Sequence, residues 1–365
     1  MKPIRILSPI LDLQGEIDNY LSLSFCRSYH FPGEFQLVTN RKVQNADKLD
    51  INSLIMLGAD PHKTGIIRHK EIKTNDNGEE IITVKGYALG AITRQRITIP
   101  PSGQAHDIQE ADAETVMKHY VQRNCLDIPG MEFPMLTLAE NQHRGSTLKW
   151  QSRYKNLGDE LESISWITGI GWHIYLDFDL KRWIFDTYKG NNFSANQSTL
   201  PPVIFSPEFE NVSSQQFTDS LIDYRNYAIV AGQGEGTQRE VIMIGSDAVG
   251  LDKHVIFVDA RDIENTSDLP VRGESILAEH QRTLFFQSEI LTQGPFQYEK
   301  DWDVGDVVTV QNKAWSLTMD SRITEVEEIY EAGGFKLNVI FGHSLPTLAR
   351  KLKIALQEFK TESTR

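Results

Sequence analysis

Near its C-terminal end the chain reads "DWDVGDVVTV" (301–310), a turn feeding a strand, and a fainter version, "LDINSLIML" (49–57), stands near its beginning. Asp50-Ile51 followed by Leu54-Ile55-Met56-Leu57 aligns with Asp303-Val304 followed by Val307-Val308-Thr309-Val310. After each comes a long alternating strand, then a turn carrying Gly78 or Gly333-Gly334, then a closing strand, "IITVKG" (81–86) or "KLNVIFG" (336–342). Asp50 and Gly86 are 36 positions apart, and Asp303 and Gly342 are 39 apart, so the two stretches can be copies of one β-module. Two copies are too few for a solenoid. Alternating strands bury one face when they close into a barrel or a sandwich, which also leaves no long exposed edge.

The rest of the 365-residue chain must then be inserted between the copies, and a chain of that length divides into two to four modules. Residues 1–100 read as short strands rich in β-branched and aromatic residues, separated by Pro32-Gly33 and Asn75-Asp76-Asn77-Gly78. "IPPSGQ" (99–104) is a linker. A helix follows in "DIQEADAETVMKHYVQRNCLD", with Ala113, Val116, Met117, Tyr120 and Val121 on one stripe. Its N-terminus is offered by Asp107 with Glu110 or by Asp112 with Thr115, and Ile128-Pro129-Gly130 stops it. A second helix spans about 157–168 and ends at Gly169 and Gly171. "GWHIYLDFDLKRWIFDTYKG" then alternates as a half-buried hairpin. Beyond Pro201-Pro202, strands are expected near 203–206, 226–232, 239–245 and 255–259, and a third helix over 273–286 with Ile276, Leu277, His280 and Leu284 on one face. The fold class is α+β, predominantly β: a first tube-like β-barrel at 1–100, an α+β insertion at 101–200, a small β-rich insertion at 201–270, a second tube-like β-barrel at 271–345, and a polar tail at 346–365.

The chemistry-bearing patterns are sparse. There is no HExxH, GxSxG or P-loop phrase. The ten histidines fall in different modules, none paired at ligand spacing beside a carboxylate cluster, so no metal or cofactor site is expected. Gly232, Gly234 and Gly236 in "VAGQGEGTQRE" could suggest a phosphate cradle, but such a loop runs from a strand into a helix, and here "REVIMIG" is another strand. They read as a hairpin tip. Asp177 and Asp179 imitate a glycosidase pair but flank a turn that needs polar residues. Asp303 and Asp306 read as turn formers around Gly305. Trp166, Trp172, Tyr175 and Trp183 could form a sugar platform and more simply supply core area. Catalytic residues are therefore expected to be none.

Composition adds exclusions. Cys26 and Cys125 stand far apart in no CxxC pattern, which fits a reducing compartment and neither a disulfide scaffold nor a zinc site. A formal net charge of −13 does not grip DNA through the overall field. The one dense basic stretch, "ARKLKIALQEFK", reads as a short amphipathic helix. No apolar run reaches the ~18 residues of a membrane span, and the start lacks a secretory pattern.

The phrase "DWDVGDVVTVQNKAWSLTMDSRITEVEEIYEAGGFKLNVIFG", with "IVAGQGEG" (229–236), "GWHIYLDFDLKRWIFD" and "KGYALGAITRQRITIPP", resembles the siphovirus and prophage tail-hub proteins, including the N-terminal hub region of tail-associated endopeptidases. The resemblance covers roughly residues 1–345 and implies a tail-tip or baseplate hub. In such a hub two tube-like barrels per chain form a homotrimeric, pseudo-sixfold ring that joins a sixfold tail tube to a threefold tip. The implied partners are distal tail, tail tube, tape measure and tip or receptor-binding proteins, with DNA passing through the channel without sequence-specific binding and no membrane partner. The implied location is the virion tail tip, after assembly in the host cytoplasm. Many such proteins continue into a cell-wall-cleaving domain; with the sequence ending at Arg365, the expectation is a structural protein rather than an enzyme. The alternative is a cell-wall polysaccharide-binding or hydrolysing tail enzyme using the aromatic-rich 166–188 region.

Overall fold

The computed structural model describes residues 2–263 and 265–343. The basic stretch "ARKLKIALQEFK" and the 346–365 tail lie outside the described residues.

The N-terminal strands are β1 Ile4–Leu7, β2 Leu13–Ile17, β3 Ser22–Ser28, β4 Glu34–Asn40, β5 Leu54–Leu57, β6 Thr64–Thr74 and β7 Glu80–Ala88. Next come β8 Asp107–Asp112, helix α1 Ala113–Gln122, β9 Leu136–Leu138, β10 Thr147–Ser152, helix α2 Leu157–Thr168, β11 Gly171–Asp177 and β12 Arg182–Tyr188. The last third holds β13 Ile204–Phe205, β14 Val212–Ser220, β15 Tyr227–Ala231, β16 Val241–Gly245, β17 Val255–Asp259, helix α3 Leu269–Glu279, β18 Thr283–Ile290, β19 Val307–Asn312, β20 Leu317–Glu331 and β21 Gly334–His343. The protein is predominantly β.

The repeat is visible in the hydrogen bonding. The N-terminal ladder runs β3-β4-β7-β6-β5-β1 and the C-terminal ladder β14-β18-β21-β20-β19-β13. Each long strand carries an irregularity at the same place, between Ile67 and His69 in β6 and between Ile323 and Glu325 in β20. The turns before β5 and β19 also match. The Asn52 amide donates to the Ile67 carbonyl at 2.9 Å, as Gly305 does to Ile323 at 2.8 Å. The Ile67 amide returns a bond to Ser53, as Ile323 does to Asp306, at 2.9 and 2.8 Å. Both turn residues need positive φ, 72° at Asn52 and 97° at Gly305, which Asn and Gly adopt most cheaply. The "DVGD" and "DINS" phrases are thus one backbone device for starting the module's central strands.

Three expectations are corrected. The closing strands do not align glycine on glycine: Gly86 pairs with Phe35 and Ile67, and its counterpart, pairing with Phe286 and Ile323, is Phe341. Nor does either end close into a barrel among the described residues. Among the described residues both ladders lie in one open 13-stranded sheet, joined where β20 pairs antiparallel with β3, from Glu325↔Ser28 to Glu331↔Ser22. Each ladder still wraps its own core, one containing Ile4, Phe25, Leu37, Ile55, Ile67 and Val84, the other Phe205, Phe286, Val308, Ile323, Val339 and Phe341. The third correction concerns the stretch assigned to the small insertion at 201–270. Its β13 and β14 belong to the C-terminal ladder, while β15–β17 form a separate sheet against α3. That helix ends at Glu279 rather than 286, because Phe286 is needed in β18, where it is fully buried.

Helix α1 begins later than the periodicity suggested, since residues 107–112 pair with β10 as a strand. Asp112 is the cap, accepting from the Thr115 amide at 2.9 Å. Gly169 caps α2 in the left-handed region (φ 68°), while Gly171 opens β11. Helices α1 and α2 and the β9, β11, β12 sheet bury Tyr120, Leu161, Trp172 and Phe185 in a core shared with Leu54, Met56 and Ile66 of the N-terminal ladder. The α+β insertion is therefore seated on that ladder.

Candidate functional site at the seam

Where β3 meets β20, charged side chains are buried together. Lys63, at the start of the turn into β6, is 1% exposed, and its ammonium pairs with the equally buried Glu328 of β20 and with Glu299 at 2.5 Å. Burial alone would lower the lysine's pKa, but Glu328 and Glu299 outweigh it and hold the ammonium above its ordinary value. The other Glu328 oxygen accepts from the Tyr330 hydroxyl at 2.7 Å. One strand along, Arg27 donates to both oxygens of Asp303, at 2.7 and 3.1 Å, and to the Tyr298 hydroxyl at 3.1 Å. This two-pronged pairing fixes the loop before β19 to β3. Desolvation drives the Tyr298 phenol well above its ordinary pKa despite the nearby Arg27.

Asp303 and Asp306 do more than turn the chain around Gly305. Asp306 is buried and accepts from the amides of Asn191 and Asp303 at 2.7 and 2.8 Å, tying the segment after β12 to the C-terminal ladder. Burial raises its pKa, with Asp303 adding repulsion. His173 stacks on Tyr188 with centroids 4.8 Å apart and approaches His62 at 5.0 Å. Desolvation, then the neighbouring His62 and Arg27, hold His173 down to about 3, so its imidazole is neutral. A cavity of about 40 Å³ between Arg27, His62, His173 and Tyr188 is far smaller than a substrate pocket.

The residues singled out for chemistry do not converge. Asp177 ends β11 and accepts from the Leu180 amide at 3.0 Å, a turn-forming bond at an exposed hairpin tip that also holds Asp179. Trp172 is core, Trp183 packs against that core, Tyr175 lies against His62 with centroids 4.9 Å apart, and Trp166 instead stacks on His30 at 3.5 Å, so the four aromatics share no open platform. Gly234 and Gly236 lie between β15 and β16 with φ of 104° and 54°, in the hairpin read from the sequence. Cys26 and Cys125 are free thiols. Among the described residues no three or more His, Cys, Asp or Glu side chains group for a metal, and no helix is long and apolar enough to cross a membrane.

Sequence reasoning missed the seam. Lys63, Glu299 and Glu328 are distant in sequence, and a charged residue on an alternating strand reads as solvent-facing. A signal was available in "TEVEEIYE", where adjacent Glu327 and Glu328 cannot both face water.

Two β-ladders of one design, fused through a charged seam and carrying α+β insertions, define a class of duplicated β-protein. The chain belongs to the siphovirus ReqiPepy6 Gp37-like protein family, which it matches over residues 3–343. Among curated proteins none matches the chain in sequence. Its fold is similar to that of a 43 kDa tail protein of prophage MuSo2 from Shewanella oneidensis, at 12% identity and a TM-score of 0.59, covering 94% of this chain and 98% of that one. A tail protein from Neisseria meningitidis MC58 gives 12% identity, a TM-score of 0.55 and coverages of 93% and 96%. Prophage tail protein gp18 from Listeria monocytogenes EGD-e gives 9%, 0.53, 97% and 98%.

Proposed function

We propose that the chain is a structural hub of a phage or prophage tail, placed at the tail tip or baseplate, where three copies form a ring. The observation that carries this reading is the duplication: two ladders with the same strand order, turn bonds and strand irregularity present two similar modules from one chain. Three such chains offer six similar modules to a sixfold tube and three identical faces to a tip. In this arrangement residues 1–100 are the first tube module, and 204–220 with 283–343 are the second. The insertions at 101–200 and 227–279 stand outside the tube. The similarity in fold to tail proteins supports the reading.

The net charge of −13 suits a channel through which DNA slides, because a cationic wall would hold phosphates. The β15–β17 sheet turns Val241, Met243, Val255 and Phe257 to solvent on the face away from α3. We assign that apolar face to a neighbouring tail protein. The hub acts by geometry and not by catalysis; wall zymograms with the isolated chain stay blank. Clearing that disappears when Asp177 and Asp179 are changed to Asn would favour the hydrolase reading instead. Solution mass together with negative-stain images of tail tips tests the ring. Three copies in a ring support it, whereas a stable dimer or a tip with six copies contradicts it.

A further inference from the structure

The two ladders differ at one edge. In the C-terminal ladder β19 pairs with β20 only as far as Arg322, and the distal half of β20, Glu325–Glu331, pairs with β3. In the N-terminal ladder β5 pairs with β6 only as far as Ile66, and among the described residues the backbone of His69–Thr74 pairs with β7 alone, while the Lys70 ammonium reaches Asp50 at 2.7 Å. The counterpart of β3 is β14: Phe25 opposes Phe35 in one ladder as Phe217 opposes Phe286 in the other. Both aromatic pairs are in contact, with centroids 6.1 and 5.0 Å apart. And among the described residues β14 pairs on one side only, with β18. Among the described residues one chain therefore carries two open edges that are the counterparts of the two strands already joined inside it.

We propose that the distal half of β6 pairs antiparallel with β14 of a second copy of this chain, in the register of the internal seam. Resting on the hub reading, this names the surface that closes the ring. Aligning the two irregularities makes His69 the counterpart of Glu325, and the Phe25–Phe217 match makes Ser220 the counterpart of Ser28. The register then runs from His69 opposite Ser220 to Thr74 opposite Gln215. Two features of the sequence agree with it. Lys70 comes opposite Asp219. Ile72, which lies across from buried Ile82 yet is itself 46% exposed, comes opposite Phe217, whose ring leans on the C-terminal core. Facing pairs of this kind stabilise antiparallel strands. Both edges are otherwise open invitations to unwanted strand pairing, and using each on the other removes both. Because β6 and β14 are different surfaces, the contact is head-to-tail and can close a ring.

The test is disulfide trapping at Glu71 and Thr218, which the register places opposite each other. Their counterparts in the internal seam are Glu327 and the native Cys26. Glu327→Cys alone should therefore close an intrachain disulfide and serve as the positive control. In a Cys26→Ser background, Glu71→Cys with Thr218→Cys should give covalent multimers ending at a trimer, in concentrated protein and in assembled tail tips. A two-residue slip, Glu71→Cys with Gln216→Cys, should lose them, since it moves the thiols about 6.6 Å apart along the strand. The seam is overturned if the slipped pair or Glu71→Cys alone links equally well, or if tips holding three copies show no link while Glu327→Cys closes. That last result leaves the hub reading standing. Links that close at a number other than three support the seam and break the hub reading. A thiol-free check uses Lys70→Asp with Asp219→Lys, which should assemble better than either single change; equal loss in all three variants counts against the register.

Discussion

The N-terminal and C-terminal ladders share strand order, turn bonds and strand irregularity, yet they are built from different residues and finished differently. Where the first has Gly86 under the Phe35 ring, the second has Phe341 beside Phe286. The strand that follows the order outward is antiparallel in the first (β1 on β5) and parallel in the second (β13 on β19). Among the described residues the distal half of the long strand is paired on both sides only in the second. A duplicated module thus keeps the backbone features that set its pairing and lets side chains drift, so long as each core is filled. What differs most, the partner of the long strand, is where the two modules meet.

The comparison can be broken hardest at the seam. Replacing Lys63 with Met strips Glu328 of its buried counter-ion and should cost about 3–5 kcal/mol in urea unfolding. Adding Glu328→Gln should recover a large part of that loss, because it removes the stranded charge. A single-variant loss below about 1 kcal/mol would mean the pair is not what holds the ladders together.

A second test uses pH. His173 is neutral when folded, with its pKa lowered to about 3, whereas an unfolded histidine titrates near 6.5. Below about pH 6.5 the unfolded chain binds a proton that the folded chain refuses, so stability falls as pH drops, by up to about 1.4 kcal/mol per unit. His173→Phe, which preserves the stack on Tyr188, should flatten that slope between pH 6 and 4. An unchanged slope would place the acid sensitivity elsewhere.

The glycine at the first ladder's closing strand gives a smaller effect. A Cβ at Gly86 would stand 1.9 Å from the Ile66 carbonyl oxygen and 2.7 Å from the Phe35 ring. Gly86→Ala should therefore cost roughly 1–3 kcal/mol as β6 and β7 shift apart. Phe341→Ala at the matching place should instead lose stability through a cavity. Gly234→Ala is the mildest, about 1 kcal/mol or a little more, from positive φ and a contact of 2.9 Å with the Arg239 Cα. Tight calorimetric binding of ATP or NAD at that hairpin would overturn its reading as a plain turn.

Much of this is legible in the sequence alone. The strands of the two ladders alternate, and Gly and Asn mark the turns, so β6, α2 and the β11–β12 hairpin fall where the pattern puts them. Strand β14 was invisible because Val212 and Phe217 are the only apolar residues in "VSSQQFTDS"; an edge strand with one neighbour needs few. The third helix ran on into β18 because Leu284 happened to continue its stripe, and only pairing with β14 and β21 reveals "TLFFQSEI" as a strand. The seam was illegible for a different reason. Its ion pairs join residues hundreds of positions apart, and nothing local distinguishes a buried Lys63 from a solvated one.

In the proposed ring the two ladders are one module, satisfied within the chain on one side and between chains on the other. Hydrogen exchange on the monomer and on the assembled ring tests it most directly. In the monomer, amides of 325–331 should be protected on both sides of β20, while those of 69–74 that point away from β7 should exchange freely. On assembly the amides of 69–74 and the outward amides of 214–220 should become protected together. Unchanged exchange at both edges in a ring of known stoichiometry would contradict the claim.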